Sequence, residues 1–293
     1  LFLVSLVLPL LSSFVLRSVR SDSRVTTGEF AGMFVRGNPL QALMSLVKFH
    51  RAKDERAAVS TTEDLGQARS PLTVDELLEA LEDPRFYVRF EAIVSIARTN
   101  PSEQLIQALI KVLDGDSPAL SVIAAWALGR MDERDAIPAL RQGLDARYRS
   151  IQAHCARSLG SIGDETIAPL LLKRLKDEQD HGLRLAYASA LGKLGSDEAV
   201  DELLRMLRTS RDRGPRMELA LALARLLGDE RWFIQLLRET YTEPGTAISQ
   251  AVASLRKPLR KYCGEEDGLS PLIDSCGNAF AREDLARGVI LLA

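Results

Sequence analysis

Charge excess, aromatic side chains and chemical motifs are all scarce in this chain of 293 residues. Lys and Arg number 38 against 40 Asp and Glu, a net charge of -2 that argues against a dedicated nucleic-acid binder, which carries a basic excess. Aromatic residues make up 5%, low for a β-sandwich or barrel and ordinary for helices packed through Ala and Leu. The three cysteines (Cys155, Cys263, Cys276) and three histidines (His50, His154, His181) are scattered. They form no CxxC and no HExxH, so neither a disulfide framework nor a zinc site is implied. Glycine-rich phosphate loops, nucleophile elbows and EF-hand loops are missing too. His154 and Cys155 are neighbours on a helix, about 100° apart, and do not face each other. No catalytic residue, cofactor or metal is expected, and the chain reads as a non-enzyme. Hydrophobic residues at 46% exclude wholesale disorder.

Long apolar runs are limited to one. Leu1 to Leu16 reads LFLVSLVLPLLSSFVL, with no charge. A helix of that length reaches only about 24 Å, and a spanning helix needs about 20 residues. The run therefore reads as the last part of a transmembrane helix that begins upstream. A signal peptide would carry its basic residues before the run; here Arg17, Arg20, Arg24 and Arg36 follow it. A buried soluble helix is the third reading. The basic exit places the remainder on the cytoplasmic side, where the cysteines stay reduced.

Residues 17–53 read as a basic connector. Asn38 is placed to cap a helix with Pro39 at its first position. Leu40, Leu43, Met44 and Val47 then form a helical apolar stripe, flanked by Arg36, Lys48, Arg51 and Lys53. This helix either lies on the inner leaflet or covers the open end of the next domain, and both can hold together.

An internal repeat occupies residues 54–240. Leu-Gly-like pairs end at 66, 97, 129, 160, 192 and 224, with intervals of 31, 32, 31, 32 and 32. A helix rich in Ala and Leu leads into each pair, as in VIAAWALG (122–129) and RLAYASALG (184–192). A turn follows, such as GDET (163–166) or GSDE (195–198), and a second helix opens about eight residues after the pair. Gly129, Gly160 and Gly192 are expected where the chain reverses, and Trp126 is expected in the core. One helix pair cannot bury its apolar face alone, whereas stacked pairs share a continuous core. The expected fold is an all-α solenoid of about six helix pairs, elongated and curved.

These units resemble HEAT-like repeats of the short type also found in phycobilin lyases. DPRFYVRFEAIVSIA (83–97) carries the pattern best, with Asp83, Val88, Arg89 and Ala92; Arg184 and Arg216 repeat the Arg89 position, while Ser121 and Gln152 break an arginine ladder. The order of apolar span, basic exit, GNPLQALMSLVKFHR connector and repeats is similar to the C-terminal part of bacterial major facilitator superfamily transporters with a HEAT-repeat extension. That resemblance implies a cytoplasmic interaction or regulatory module on a membrane transporter. Its partner would be a protein or the transporter domain itself. The alternatives are a membrane-tethered repeat scaffold and, behind it, a lyase-like protein acting on a bilin.

Residues 241–293 break the period and read as an irregular helical cap that continues beyond VILLA. Second helices of such repeats tend to line the concave face. Lys111, Arg141, Lys173, Arg174, Arg205, Arg208 and Arg238 recur there and form a candidate basic ridge for an acidic peptide or anionic headgroups. The interspersed acids Glu202, Glu239, Asp177 and Glu178 fit an ordinary solvated face equally.

Overall fold

A computed structural model describes residues 38–52, 54–255, 269–282, 284 and 287. The apolar run at 1–16, the start of the connector and Cys263 lie outside the described residues. Among the described residues the chain is all-α, with no strand, and no helix is long and apolar enough to cross a membrane. It divides into two compact units, Leu1–Met131 and Asp132–Ala293.

The first unit opens with α1 (Pro39–Phe49), which Asn38 caps by accepting from the Gln41 N–H at 3.1 Å, with Pro39 at its first position. Next come α2 (Glu55–Ala68), α3 (Val74–Leu81), α4 (Phe86–Ile96), α5 (Glu103–Leu113) and α6 (Pro118–Met131). The helices α2, α4 and α6 lead into the pairs at 66, 97 and 129 and pack side by side. Each second helix lies against the next first helix, α3 on α4 and α5 on α6. Leu65, Leu77, Ile93, Ile96, Leu105 and Leu109 are fully buried in this unit.

The second unit continues the scheme with α7 (Ile137–Gly143), α8 (Arg149–Ile162), α9 (Ala168–Asp177), α10 (His181–Leu194), α11 (Val200–Thr209), α12 (Arg213–Leu226) and α13 (Glu230–Thr242). Here α8, α10 and α12 form the row, and α10 is its most buried member, down to the Tyr187 ring. Within each unit this is solenoid-type stacking. After Thr242 the chain adds α14 (Pro244–Ser254) and α15 (Leu269–Ala281), which pack on each other through Ile248, Val252, Ile273, Cys276 and Phe280.

Two details differ from the sequence expectation. The anchor glycines do not mark the reversals, because α8 runs to Ile162 and α10 to Leu194. The chain turns three residues later, at Gly163 and Gly195, in the left-handed region (φ 76° and 67°) that a missing Cβ permits. Arg69 and Asp132 occupy the same place after their pairs, at φ 47° and 58°. A single 3-10 turn then leads into the second helix, as at Glu165–Ile167 and Asp197–Ala199. Trp126 is not in the core: it is 38% exposed, and the Arg130 guanidinium lies 5.8 Å from its ring centre. The buried face of its helix is made instead of Leu120, Ala124, Ala125, Ala127 and Leu128.

Candidate interaction surface

The residue eight before the end of a pair often reaches the end of the preceding second helix. At the second pair, Arg89 Nε donates to the Leu81 carbonyl at 3.0 Å, at the end of α3. At the third, Ser121 Oγ lies 3.1 Å from the Ser117 carbonyl of its own helix and 3.2 Å from the Val112 carbonyl at the end of α5. Gln152 Nε2 reaches the Ala146 carbonyl at 2.6 Å, just after α7. Arg216 Nη1 reaches the Ser210 carbonyl at 3.1 Å, just after α11. The last carbonyls of a helix have no partner within it, and this side chain supplies one. Gln152 therefore keeps the role of Arg89 and Arg216, while the single Ser121 hydroxyl proton is shared with its own helix. Arg184 departs instead, pairing with the Glu202 carboxylate at 3.2 Å.

Most of the basic residues singled out on the second helices are held by neighbours. In the first unit, Lys111 pairs with Glu82 at 3.6 Å. In the second, Arg141 grips Asp164 at 2.6 Å and also meets the Thr166 hydroxyl. Arg174 donates to the Leu144 carbonyl and to Asp145, both at 2.7 Å. Arg205 pairs at 2.5 Å with Glu202, whose carboxylate is only 4% exposed. Lys173, Arg208 and Arg238 pair with no carboxylate among the described residues. Arg141 and Arg174 tie successive repeats together, whereas the Arg205 pair lies within α11. The Asp164 carboxyl shows the result: burial alone would raise its pKa, yet hydrogen bonds from Thr166 and Arg141 hold it below the usual carboxylate range.

A different group lines a cleft in the second unit. The cleft, of about 760 Å³, opens where α8, α10 and α12 end and α13 begins. Gly160 and Gly192 form its floor, Trp232 stands at its rim, and Lys193, Arg225, Glu230 and Arg231 complete it. The floor is bare because helices touch there: a Cβ on Gly160 would lie 2.7 Å from the Ala190 Cα. Lys193 Nζ donates to Ser161 Oγ at 2.7 Å and pairs with no carboxylate among the described residues. Its acidic neighbours are engaged elsewhere, Glu230 by Arg225 and Glu218 by Arg157, each at 2.8 Å. The surrounding cleft walls, then the charges of Arg225 and Arg157, push the Lys193 ammonium below the usual lysine range. Trp232 exposes 47% of its surface beside it.

Sequence reasoning passed over both residues. Lys193 directly follows a Leu-Gly pair and reads as a helix-end cation, and Trp232 opens the last second helix without a motif around it. The signal was the pair of side chains lying close to two glycines that must stay bare. His154, by contrast, bonds the Ser150 carbonyl at 2.9 Å through Nδ1, and Cys155 packs in the core beside Gly143.

Residues 106–190 and 168–256 match the family model described as HEAT repeats. Together the two matches span more than half of the chain. No curated protein matches it. Among solved structures, the complex of CpcE and CpcF of phycocyanin lyase from Nostoc sp. PCC7120 is similar, with a TM-score of 0.51 and 16% identity over 94% of this chain and 95% of that one. At that identity the likeness is one of fold. The transporter resemblance has no counterpart among these matches.

Proposed function

Because the chain belongs to the HEAT-repeat family, we propose that it is a non-catalytic protein-interaction module, and that the cleft between Lys193 and Trp232 is where its partner docks. The observation that carries this reading is the company Lys193 keeps. It is a cation without a counter-ion among the described residues, set on a floor of backbone and flanked by an exposed indole. A partner segment bearing an acidic side chain next to an apolar one supplies the missing charge and covers the ring. The basic ridge on the second helices is the weaker candidate, since Arg141, Arg174 and Arg205 already hold carboxylates of their own chain.

The finer part of the reading puts this module on the cytoplasmic face of a membrane, at the C-terminal end of a major facilitator-type transporter. What supports it is the sequence order at the junction: an uncharged run, then Arg17, Arg20, Arg24 and Arg36, then the capped connector helix. A tethered scaffold without transport is the alternative. The coding sequence upstream of Leu1 separates them. Further apolar spans support the transporter, and their absence removes it.

The docking site is tested by photo-cross-linking in the source cells. A photoreactive residue at Arg231, on the cleft rim, is expected to give a discrete protein adduct that Lys193→Glu abolishes. Adducts that persist in Lys193→Glu, or form equally from Arg238, would contradict it.

A further inference from the structure

The helix α1 has two faces of opposite kind. It docks on α2 and the Pro71–Thr73 turn through small residues, Ala42 at 0% and Ser45 at 2% exposure. The Asn38 N–H donates to the Ala68 carbonyl at 2.9 Å and Lys48 pairs with Asp64 at 3.3 Å, which fixes its rotation. The large side chains then point the other way. Leu40, Leu43, Met44 and Val47 are 73%, 47%, 61% and 53% exposed. Spacings of three and four residues line them into one stripe. An amphipathic helix in a globular protein normally turns such a stripe toward the core. Here the stripe faces out although the helix is already docked.

We infer that this stripe is a lipid-binding surface, seated in the headgroup–acyl boundary of an anionic bilayer, so that the first repeat rests on the membrane. The inference rests on the membrane placement proposed above, but not on a transporter being present. Charge selects lipid over protein. From Phe30 to Lys53 there is no Asp or Glu, while Arg36, Lys48, Arg51 and Lys53 are all basic. Such a helix suits an anionic headgroup layer. In a contact between two copies of α1 the same cations would face each other and repel. The uncharged run at 1–16 precedes the helix by about twenty residues, within reach of the same surface. The stripe is also free of aromatic residues, with no anchor of the kind that dominates protein interfaces.

The test reads depth in the full chain reconstituted in vesicles, so the contribution of α1 is separated from that of the upstream run. With Cys263→Ser, and with Cys155 and Cys276 buried, a bimane label is placed at Met44→Cys or, as a control, at Glu198→Cys. Vesicles contain phosphatidylglycerol and phosphatidylcholine brominated near the headgroup. Quenching at position 44 well above the control, increasing with phosphatidylglycerol and lost in a Leu40→Asp, Val47→Asp background of unchanged helicity, is the expected result. Equal quenching at positions 44 and 198 would overturn the inference. So would cross-linking of two copies through position 44. Neither result depends on what lies upstream of Leu1, which tests the transporter reading separately.

Discussion

The Cα of Ala222 lies 2.8 Å from where a Cβ on Gly192 would stand, so α10 and α12 meet with only the Ala222 methyl at the contact. The same contact joins Gly160 to Ala190 at 2.7 Å, and in the first unit Gly66 to Ser95. Gly66, Gly160 and Gly192 thus each meet the residue two before the end of the next pair. The regular interval of 31 or 32 residues is the distance along the chain between successive close contacts of one row. Gly192→Ala is expected to lose about 1–3 kcal/mol of stability through overpacking, read from the urea midpoint. A loss below about 0.5 kcal/mol would mean that the row has slack.

The reversal positions behave differently. A Cβ at Gly195 meets nothing within 4 Å, so the penalty for Gly195→Ala comes from its φ of 67° alone. About 1–2 kcal/mol is expected. Arg69 already bears that penalty at φ 47°, and Arg69→Gly is expected to raise stability by about 0.5–1 kcal/mol. Thermal unfolding of both variants measures the pair; a drop in Tm for Arg69→Gly would refute the account of the turn.

Fold and period were legible because they rest on residues with one structural use. Leu-Gly pairs, Ala-rich helices and Asp or Gly turns act locally, and the helices follow. The position of Trp126 was not legible, because periodicity shows a helix but not which flank the row has filled with alanine. The basic ridge was visible as a pattern, while its pairing with Asp164, Asp145 and Glu202 depends on contacts 23, 29 and 3 residues away along the chain. Lys193 was hidden for the opposite reason: its interest lies in having no carboxylate partner among the described residues, which spacing cannot reveal.

The capping position gives a prediction about chemistry rather than identity. Gln152→Ala removes the donor to the Ala146 carbonyl and is expected to lower stability by about 1 kcal/mol. Gln152→Arg, which restores the residue found at Arg89 and Arg216, should stay within about 0.5 kcal/mol of the native chain. Chemical denaturation compares the two; equal losses would show that side-chain packing, not the hydrogen bond, matters there.

Acid should loosen the second unit through Asp164. Its folded pKa lies below the ordinary 3.8, so its contribution is complete above that value and fades as pH falls through the folded one. Asp164→Asn removes this dependence. The expected outcome is lower stability than native at pH 7 and a smaller difference near pH 3. A difference independent of pH would exclude the ion pair with Arg141 as its source.

At Lys193 the charged form destabilises the fold, where at Asp164 it stabilises it. Its folded pKa is below the ordinary 10.5, so the charged form is disfavoured in the fold and stability recovers as pH rises toward the unfolded value. Lys193→Met should therefore raise Tm at pH 7, by an amount that salt reduces because Lys193 is open to solvent on one side. A lower Tm would mean that the bond to Ser161 outweighs the crowding of charge.

The interaction reading is tested most directly by calorimetric titration of the purified full chain with a glutamate-rich peptide containing one leucine. Saturable binding is predicted. It should weaken with salt, be absent for the lysine-rich counterpart, and fall about tenfold in Lys193→Met, the equivalent of roughly 1.4 kcal/mol. Binding that is unchanged in both Lys193→Met and Trp232→Ala, or no binding at low salt, would contradict the assignment of the cleft.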